Sequence, residues 1–462
     1  MSKPNIIVIM TDQQRFDTIA ALGYPWMKTP NLDRLAHEGA ILTQTFCAAP
    51  SCVPSRCSFF NGQYPHNIGV FSNHDPWEHS WVENLRDAGY LTVNIGKMHT
   101  GPATAECGFH QRFIVENKDR TYDNEKYRFF DEWDKFLLFN SQEKPTRDSY
   151  QSGYPGYAHA LGAYEWPLDE EYHSDEFVGN MAVQYIMEVS AEEPLFLQIG
   201  FPGPHPPYDP PQRYIDMYCN VDILLPCVLE EELANQPPCH GIYRQETIDG
   251  NHDGVKWKHH PSKEELLRLR RYYAANMTLI DEKIGGIISA LSTRGFLENA
   301  IIYFTSDHGD CLGDHGHIQK WNMYDESLRV PSILWSKDRI PAGTTHTALT
   351  QQMDVADYLL KEAKIPVPLK WDAQELRLGE NHGRDYVYAE HAKDNVWYGS
   401  SFMSMVRSNT HKLVFYPEEK YGELYDLVKN PTETINEWDN PLYASIRSDL
   451  TQQLLKFRPA VQ

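Results

Sequence analysis

The chain has 462 residues, of which 41% are hydrophobic and 12% aromatic, and its formal net charge is −22. That length exceeds one compact core and predicts a large domain with a smaller companion, while the composition excludes a disordered chain. The acidic balance argues against broad contacts with nucleic acid or anionic membranes, which need basic faces, but leaves room for a small cationic pocket.

In chain order, residues 5–11 read as a strand that is apolar on both faces. That apolar run is too short for a signal peptide and has no small-residue cleavage site, and no run reaches transmembrane length, so the cytoplasm is the expected compartment, with a periplasmic protein trimmed of its leader as the alternative. Helical patterns at 31–37 and 81–88 precede a second apolar strand at 91–95. A helix at 175–187, a strand at 195–199, a helix at 264–291 and a strand at 300–305 follow. Continuous apolar strands alternating with helices predict an α/β fold: a large, mostly parallel sheet sandwiched by helices. Such sheets bind ligands beyond the carboxyl ends of their strands. Two long irregular stretches, 117–172 and 202–262, are placed to shape a pocket there. Beyond about residue 370 the pattern changes to short strands at 385–389, 402–407 and 412–416 and a closing helix at 442–457. The expected division is a catalytic domain of residues 1–370 and a small antiparallel α+β subdomain of residues 371–462. The eight cysteines include no C-x-x-C pair, so zinc knuckles are not expected and the thiols read as reduced.

Each buried strand stops at a residue that carries chemistry. The first runs into Asp12-Gln13, the second into Lys97 and His99, the third into His205 and Tyr208, and the fourth into Asp307-His308. In a parallel sheet these groups meet at one edge. Asp12, Asp307 and His308 suit a divalent cation, with Gln13 as a neutral oxygen donor; carboxylates favour Ca²⁺, Mg²⁺ or Mn²⁺. Arg56, Lys97, His99, His205 and Lys320 suit a compact tetrahedral anion. Cys52 precedes Pro54 at a helix start, where the dipole and Arg56 favour negative charge. A thiolate nucleophile and a buried structural cysteine are both open readings.

Cys52-Val53-Pro54-Ser55-Arg56, continuing to Asn61-Gly62, resembles the C-x-P-S-R signature of type I, formylglycine-dependent sulfatases in the alkaline-phosphatase-like superfamily. Gly96-Lys97-x-His99, Pro204-His205-x-Pro207-Tyr208, Ser306-Asp307-His308-Gly309, the Lys320 loop and Gly422-Glu423-Leu424-Tyr425-Asp426 resemble that family's other blocks in the same order. The resemblance implies a sulfuric ester hydrolase whose Cys52 is oxidised to formylglycine by a separate maturation enzyme. It implies one divalent metal on Asp12, Gln13, Asp307, His308 and residue 52, with Ca²⁺ first and Mg²⁺ or Mn²⁺ as alternatives. Lys97 and Lys320 would hold the sulfuryl oxygens, Arg56 the nucleophile, His205 the leaving-group proton and His99 the proton of the second hydroxyl.

Two departures matter. Asp12-Gln13 replaces the usual pair of aspartates, as in phosphonate monoester and phosphodiester hydrolases. Met98 replaces a usual tryptophan, as in choline sulfatases. The expected substrate is a small-molecule or oligosaccharide sulfate ester, with a sulfated carbohydrate preferred. Phosphonate hydrolysis and a choline-sulfatase-like activity are the alternatives, and the full residue set argues against a non-catalytic binder of sulfated ligands. His74, Trp77, Tyr122, His173 and Tyr208 are candidates to line the leaving-group pocket. Asp310 and Asp314 are either supports behind the metal or loop solvators, and a homo-oligomer is an open option.

Overall fold

A computed structural model describes residues 3–458 apart from 117, 121, 125, 126, 381, 393 and 395–399, with the backbone alone at 122–124, 127 and 128. The main sheet is built from β1 (Asn5–Asp12), β2 (Ala40–Leu42), β3 (Leu91–Gly96), β4 (Gln111–Ile114), β5 (Leu195–Pro204), β6 (Ala300–Ser306), β7 (Ser332–Trp335) and β8 (Thr344–His346). Their order is β8-β2-β7-β6-β1-β5-β3-β4. From β6 to β4 every pairing is parallel, and β7 runs antiparallel to both of its neighbours. β1 therefore lies at the centre, flanked by β6 and β5.

The alternation of side chains along β1 feeds two helical layers. Ile7 and Ile9 face α1 (Pro30–Glu38), a helix at Ser174–Glu188 and the long helix Lys263–Thr293; Ile6, Val8 and Met10 face helices at Cys52–Asn61, Val82–Asp87 and Gln352–Glu362. All five β1 side chains are fully buried, each contributing about 1.5–3 kcal/mol, so Asp12 leaves the sheet from its most firmly held strand. In chain order the helices used below are α2 (Cys52–Asn61), α3 (Val82–Asp87), α4 (Arg147–Gly153), α5 (Ser174–Glu188), α6 (Pro238–Asp249), α7 (Lys263–Thr293), α8 (Gln352–Glu362) and α9 (Ala444–Phe457).

A second, antiparallel sheet joins β9 (Val387–Ala392), β10 (Phe402–Arg407), β11 (His411–Phe415) and β12 (Gly422–Asp426) in sequence order. Val406, Leu413 and Leu424 pack on α9 through Leu450 and Leu454. Its other face, with Met405 and Val414, meets Phe46, Trp321 and Met323 of the main body. The segments expected to be irregular hold short helices, among them α4 and α6, and a small hairpin of Tyr122–Asn124 with Tyr127–Phe129. Among the described residues no helix is long and apolar enough to cross a membrane.

Candidate active site

The register of β1 and β6 sets the floor of the site. Thr11 lies beside Ser306, so Asp12, Asp307 and His308 leave the sheet at one level. The N-terminus of α2 closes over them. Asn73 caps that helix from a neighbouring loop, its Oδ1 accepting from the Val53 amide and from Ser51 Oγ, both at 3.0 Å. One ligand atom each from Asp12, Cys52, Asp307 and His308 lies within 4.8 Å of all the others, and all four residues are buried. Gln13 adjoins this cluster in a left-handed backbone conformation (φ 68). Its Nε2 donates to Asp310 Oδ2 (2.8 Å) and its Oε1 accepts from Lys320 Nζ (2.9 Å), which fixes the amide with its oxygen toward the cluster. Two carboxylates, an imidazole, an amide oxygen and residue 52 fit a divalent cation.

Arg56 follows Cys52 by one helical turn and is wholly buried. Its Nε donates to Asp307 Oδ2 (2.7 Å), Nη1 to the Lys97 carbonyl (3.0 Å) and Nη2 to Asp12 Oδ2 (3.3 Å). The sequence placed Arg56 against the substrate anion or the nucleophile; in the structure its guanidinium donates to the two carboxylates, which it aligns, and lies within the electrostatic reach of Cys52. Lys97 reaches the same place from β3, with Nζ 2.7 Å from Asp12 Oδ2. The strand can turn there because residue 96 is glycine at φ 92: a Cβ would lie 2.0 Å from the Gly200 carbonyl. That carbonyl accepts from the Lys97 amide at 2.8 Å.

Lys320 Nζ lies 2.9 Å from Cys52 Sγ, and His308 Nε2 lies 3.2 Å from the same sulfur. The Lys320 loop is braced from two sides. Tyr243 of α6 donates its hydroxyl to the carbonyls of Ile318 and Lys320, both at 2.9 Å. His240 bridges His317 Nε2 (2.8 Å) and Glu423 Oε1 (2.9 Å). Glu423 lies on β12, so the C-terminal Gly422–Asp426 block acts on the site through this loop.

Charge in the floor is closely balanced. Burial opposes ionisation of Asp12, but Lys97, His205, Lys320 and Arg56 together hold it well below the usual carboxylate range. Burial likewise opposes charge on Lys97 and Lys320, yet their carboxylate and thiol neighbours keep both above the ordinary lysine value. Burial, then Asp12, pushes the Cys52 thiol up to about 12. Burial and then Lys97 drive His99 well below its ordinary value, which favours the neutral imidazole. His99 also has φ 61, and its amide is held by both Glu116 oxygens at 3.0 and 3.1 Å.

Above the floor opens a cavity of about 320 Å³ whose lining includes Cys52, Lys97, His99, His205 and Lys320. Of the residues expected around a leaving group, His74 lines it. The structure places three others elsewhere. Trp77 is core, and its Nε1 donates to the His99 carbonyl (2.9 Å). His173 is buried with Nδ1 capping α5 through the Asp175 amide (3.2 Å). Tyr208 packs against Tyr273 and donates to Asp310 Oδ2 at 2.6 Å, behind Gln13. The Tyr122 side chain lies outside the described residues. Asp310, which also accepts from the Leu312 and Gln319 amides, is the support for Gln13. Asp314 instead pairs with Arg15 and Arg270. Sequence reasoning missed Asn73, Arg120, Arg147, Asp253, Trp321 and Asp394, all of which line the cavity.

A family model described as Sulfatase matches residues 4–365, and one described as N-sulphoglucosamine sulphohydrolase, C-terminal, matches residues 313–460. The chain belongs to the sulfatase family. This sulfatase is 29% identical over 468 residues to an arylsulfatase of Clostridium perfringens, covering 98% of this chain and 94% of that relative. Its fold is shared with the phosphonate monoester hydrolase SpPMH of Silicibacter pomeroyi, at TM-score 0.81 and 21% identity over 100% of this chain and 96% of that one. It is shared equally with BT4656, solved in complex with its substrate D-glucosamine-2-N,6-O-disulfate, at TM-score 0.78 and 21% identity over 100% of this chain and 98% of that one.

Proposed function

We propose that this sulfatase hydrolyses the sulfate ester of a carbohydrate, using an oxidised Cys52 as nucleophile beside a divalent cation. The observation that carries this reading is the place of Cys52: buried at the first residue of α2, on the cavity floor, 2.9 Å from Lys320 Nζ and in the four-donor cluster. Asp12, Gln13, Asp307 and His308 would hold the cation, with Ca²⁺ favoured by the oxygen-rich set and Mg²⁺ or Mn²⁺ as alternatives. Bound there, it would lower the pKa of a neighbouring hydroxyl and draw charge from the sulfuryl oxygens. Formylglycine, made from Cys52 by a separate maturation enzyme, would supply a hydrated aldehyde with one hydroxyl to attack sulfur and another whose deprotonation expels sulfate.

The remaining work falls to the chain's own residues. Lys97 and Lys320, both kept charged, hold sulfuryl oxygens in a site shielded from water. His205 gives a proton to the departing ester oxygen, and neutral His99 takes one from the second hydroxyl. Arg56 keeps Asp12 and Asp307 in register. The wall supports a sugar: Asn73, Arg120, Arg147, Asp253 and Asp394 are side chains that hydrogen-bond hydroxyl groups, and Trp321 also lines it. A trimethylammonium group needs an aromatic cage, and among the described residues the lining has one indole and no Tyr or Phe.

Hydrolysis of phosphonate monoesters or phosphodiesters is the second reading, favoured by Gln13, whose neutral amide leaves the centre more positive than a second carboxylate would. The test is turnover by protein co-expressed with a maturation enzyme, on an aryl sulfate and an aryl phosphonate monoester sharing one leaving group, and on sulfated monosaccharides. The expected result is a sulfate preference, with a sulfated sugar as the best substrate and no turnover by Cys52→Ala. A phosphonate preference would replace the first reading with the second.

A further inference from the structure

Resting on the role given to His205 above, we infer that Asp253 is the positioning residue that makes His205 the proton donor to the leaving group. His205 Nδ1 lies 2.7 Å from the Pro206 carbonyl. A carbonyl only accepts, so Nδ1 carries a hydrogen and Nε2 is the nitrogen that gains and loses the working proton. Nε2 lies 3.6 Å from Asp253 Oδ2, and both residues line the cavity. The other charges facing His205 are Lys320, Lys97 and Asp12. Burial and then Lys320 hold His205 well below its ordinary value, and Asp253 is the leading charge that opposes them. A histidine beside two lysines needs such a counter-charge to carry a proton.

Asp253 is itself built into place. It sits at φ 55 between His252 and Gly254, a left-handed conformation that favours glycine and that a non-glycine residue adopts only where its surroundings hold it. Its Oδ1 accepts from Arg147 Nη2 (3.0 Å), and Arg147 Nε donates in turn to Asp119 Oδ2 (2.7 Å). One carboxylate oxygen is thus committed to Arg147 while the other faces His205. His205, Arg147 and Arg120 overcome burial and keep Asp253 ionised. In the reaction a hydroxyl oxygen of oxidised residue 52 bonds to sulfur as the S–O ester bond breaks, the electron pair of the broken bond stays on the ester oxygen, and that oxygen takes the Nε2 proton. Imidazolium becomes imidazole, Asp253 remains a carboxylate throughout, and water later returns the proton to Nε2.

A leaving group that is already stable as an anion gains little from this proton, whereas a poor one depends on it. The experiment uses matured, metal-loaded enzyme and compares kcat/KM for 4-nitrophenyl sulfate with that for phenyl sulfate. The ratio between the two esters on one preparation does not depend on the fraction folded. Asp253→Asn should raise the ratio by about tenfold or more while 4-nitrophenyl sulfate loses less than about fivefold. His205→Asn should raise it similarly, the double variant should add nothing further, and Asp253→Glu should recover part of the native ratio. A native ratio in Asp253→Asn alongside a raised ratio in His205→Asn would overturn the inference alone. A native ratio in both variants would overturn it together with the role given to His205.

Discussion

On the floor of the cavity, Asp12, Lys97, Asp307 and His308 each follow directly from a strand of the central sheet, and Cys52 and Arg56 share one turn of α2. On its wall, Arg120, Arg147 and Asp253 come from the two long excursions, and Asp394 from the connection between β9 and β10. The floor groups bind chiefly one another: Arg56 alone ties Asp12, Asp307 and the backbone of Lys97 together. The wall groups are more exposed to solvent, with the Arg120 side chain 47% accessible. The contrast separates two tasks. On the proposed reading the floor holds the sulfuryl group, and wall groups such as Arg120 and Asp394 can vary with the leaving group, while Asp253, held by Arg147, is where the wall reaches the reacting centre through His205.

Substitutions on each side sharpen that contrast. Asp307→Asn should have the largest effect, because it removes the negative charge paired with a buried guanidinium and weakens a proposed cation ligand. Breaking a buried pair this way costs about 3–5 kcal/mol, read by denaturant unfolding. Bound metal should fall with it, and aryl sulfate turnover by about a thousandfold. Asp310→Asn lies one step behind the floor. It should keep the metal and lose about tenfold in kcat through a loosened Gln13; loss of metal would move Asp310 into the floor itself. Arg120→Ala should change kcat/KM for a small aryl sulfate by less than about threefold while altering the ranking of sulfated sugars. A uniform loss across all esters would erase the division between floor and wall.

The last effect is read in stability, not in turnover, and concerns His315 in the Lys320 loop. Glu326 and Glu232 outweigh burial and hold His315 up at about 10, above its ordinary value of 6.5. A raised folded-state value means that its stabilisation is complete below about pH 6.5 and is lost as pH rises toward 10. The thermal midpoint should fall across that window, and His315→Gln should flatten the slope. An unchanged slope would show that His315 is not what couples the loop to pH.

How far the sequence could be read follows the same line. The apolar strands at 5–11 and 300–305 could be placed because both faces are buried, and the residue at each strand end then became a prediction about one sheet edge. Asp12, Lys97, His205 and Asp307 are thus legible as neighbours from the strand ends alone. Residues farther from the strand ends are not legible in this way. Tyr208 and His173 carry suitable chemistry, but their rings turn inward to support Asp310 and cap α5. Trp77 likewise acts from the core, on the backbone of His99. Arg147 and Asp253 are 106 residues apart and meet only in space, with no periodicity to announce them. A left-handed backbone at Gln13, His99, Asp253 and Trp321 marks the site in three dimensions, yet nothing in those residue types signals it.

The central claim is that residue 52 works only after oxidation. The most direct measurement sets the fraction of formylglycine at residue 52, read from peptide mass, against aryl sulfate turnover in metal-loaded preparations matured to different extents. The account predicts a straight line through zero. Substantial turnover by protein carrying only unmodified Cys52 would contradict it.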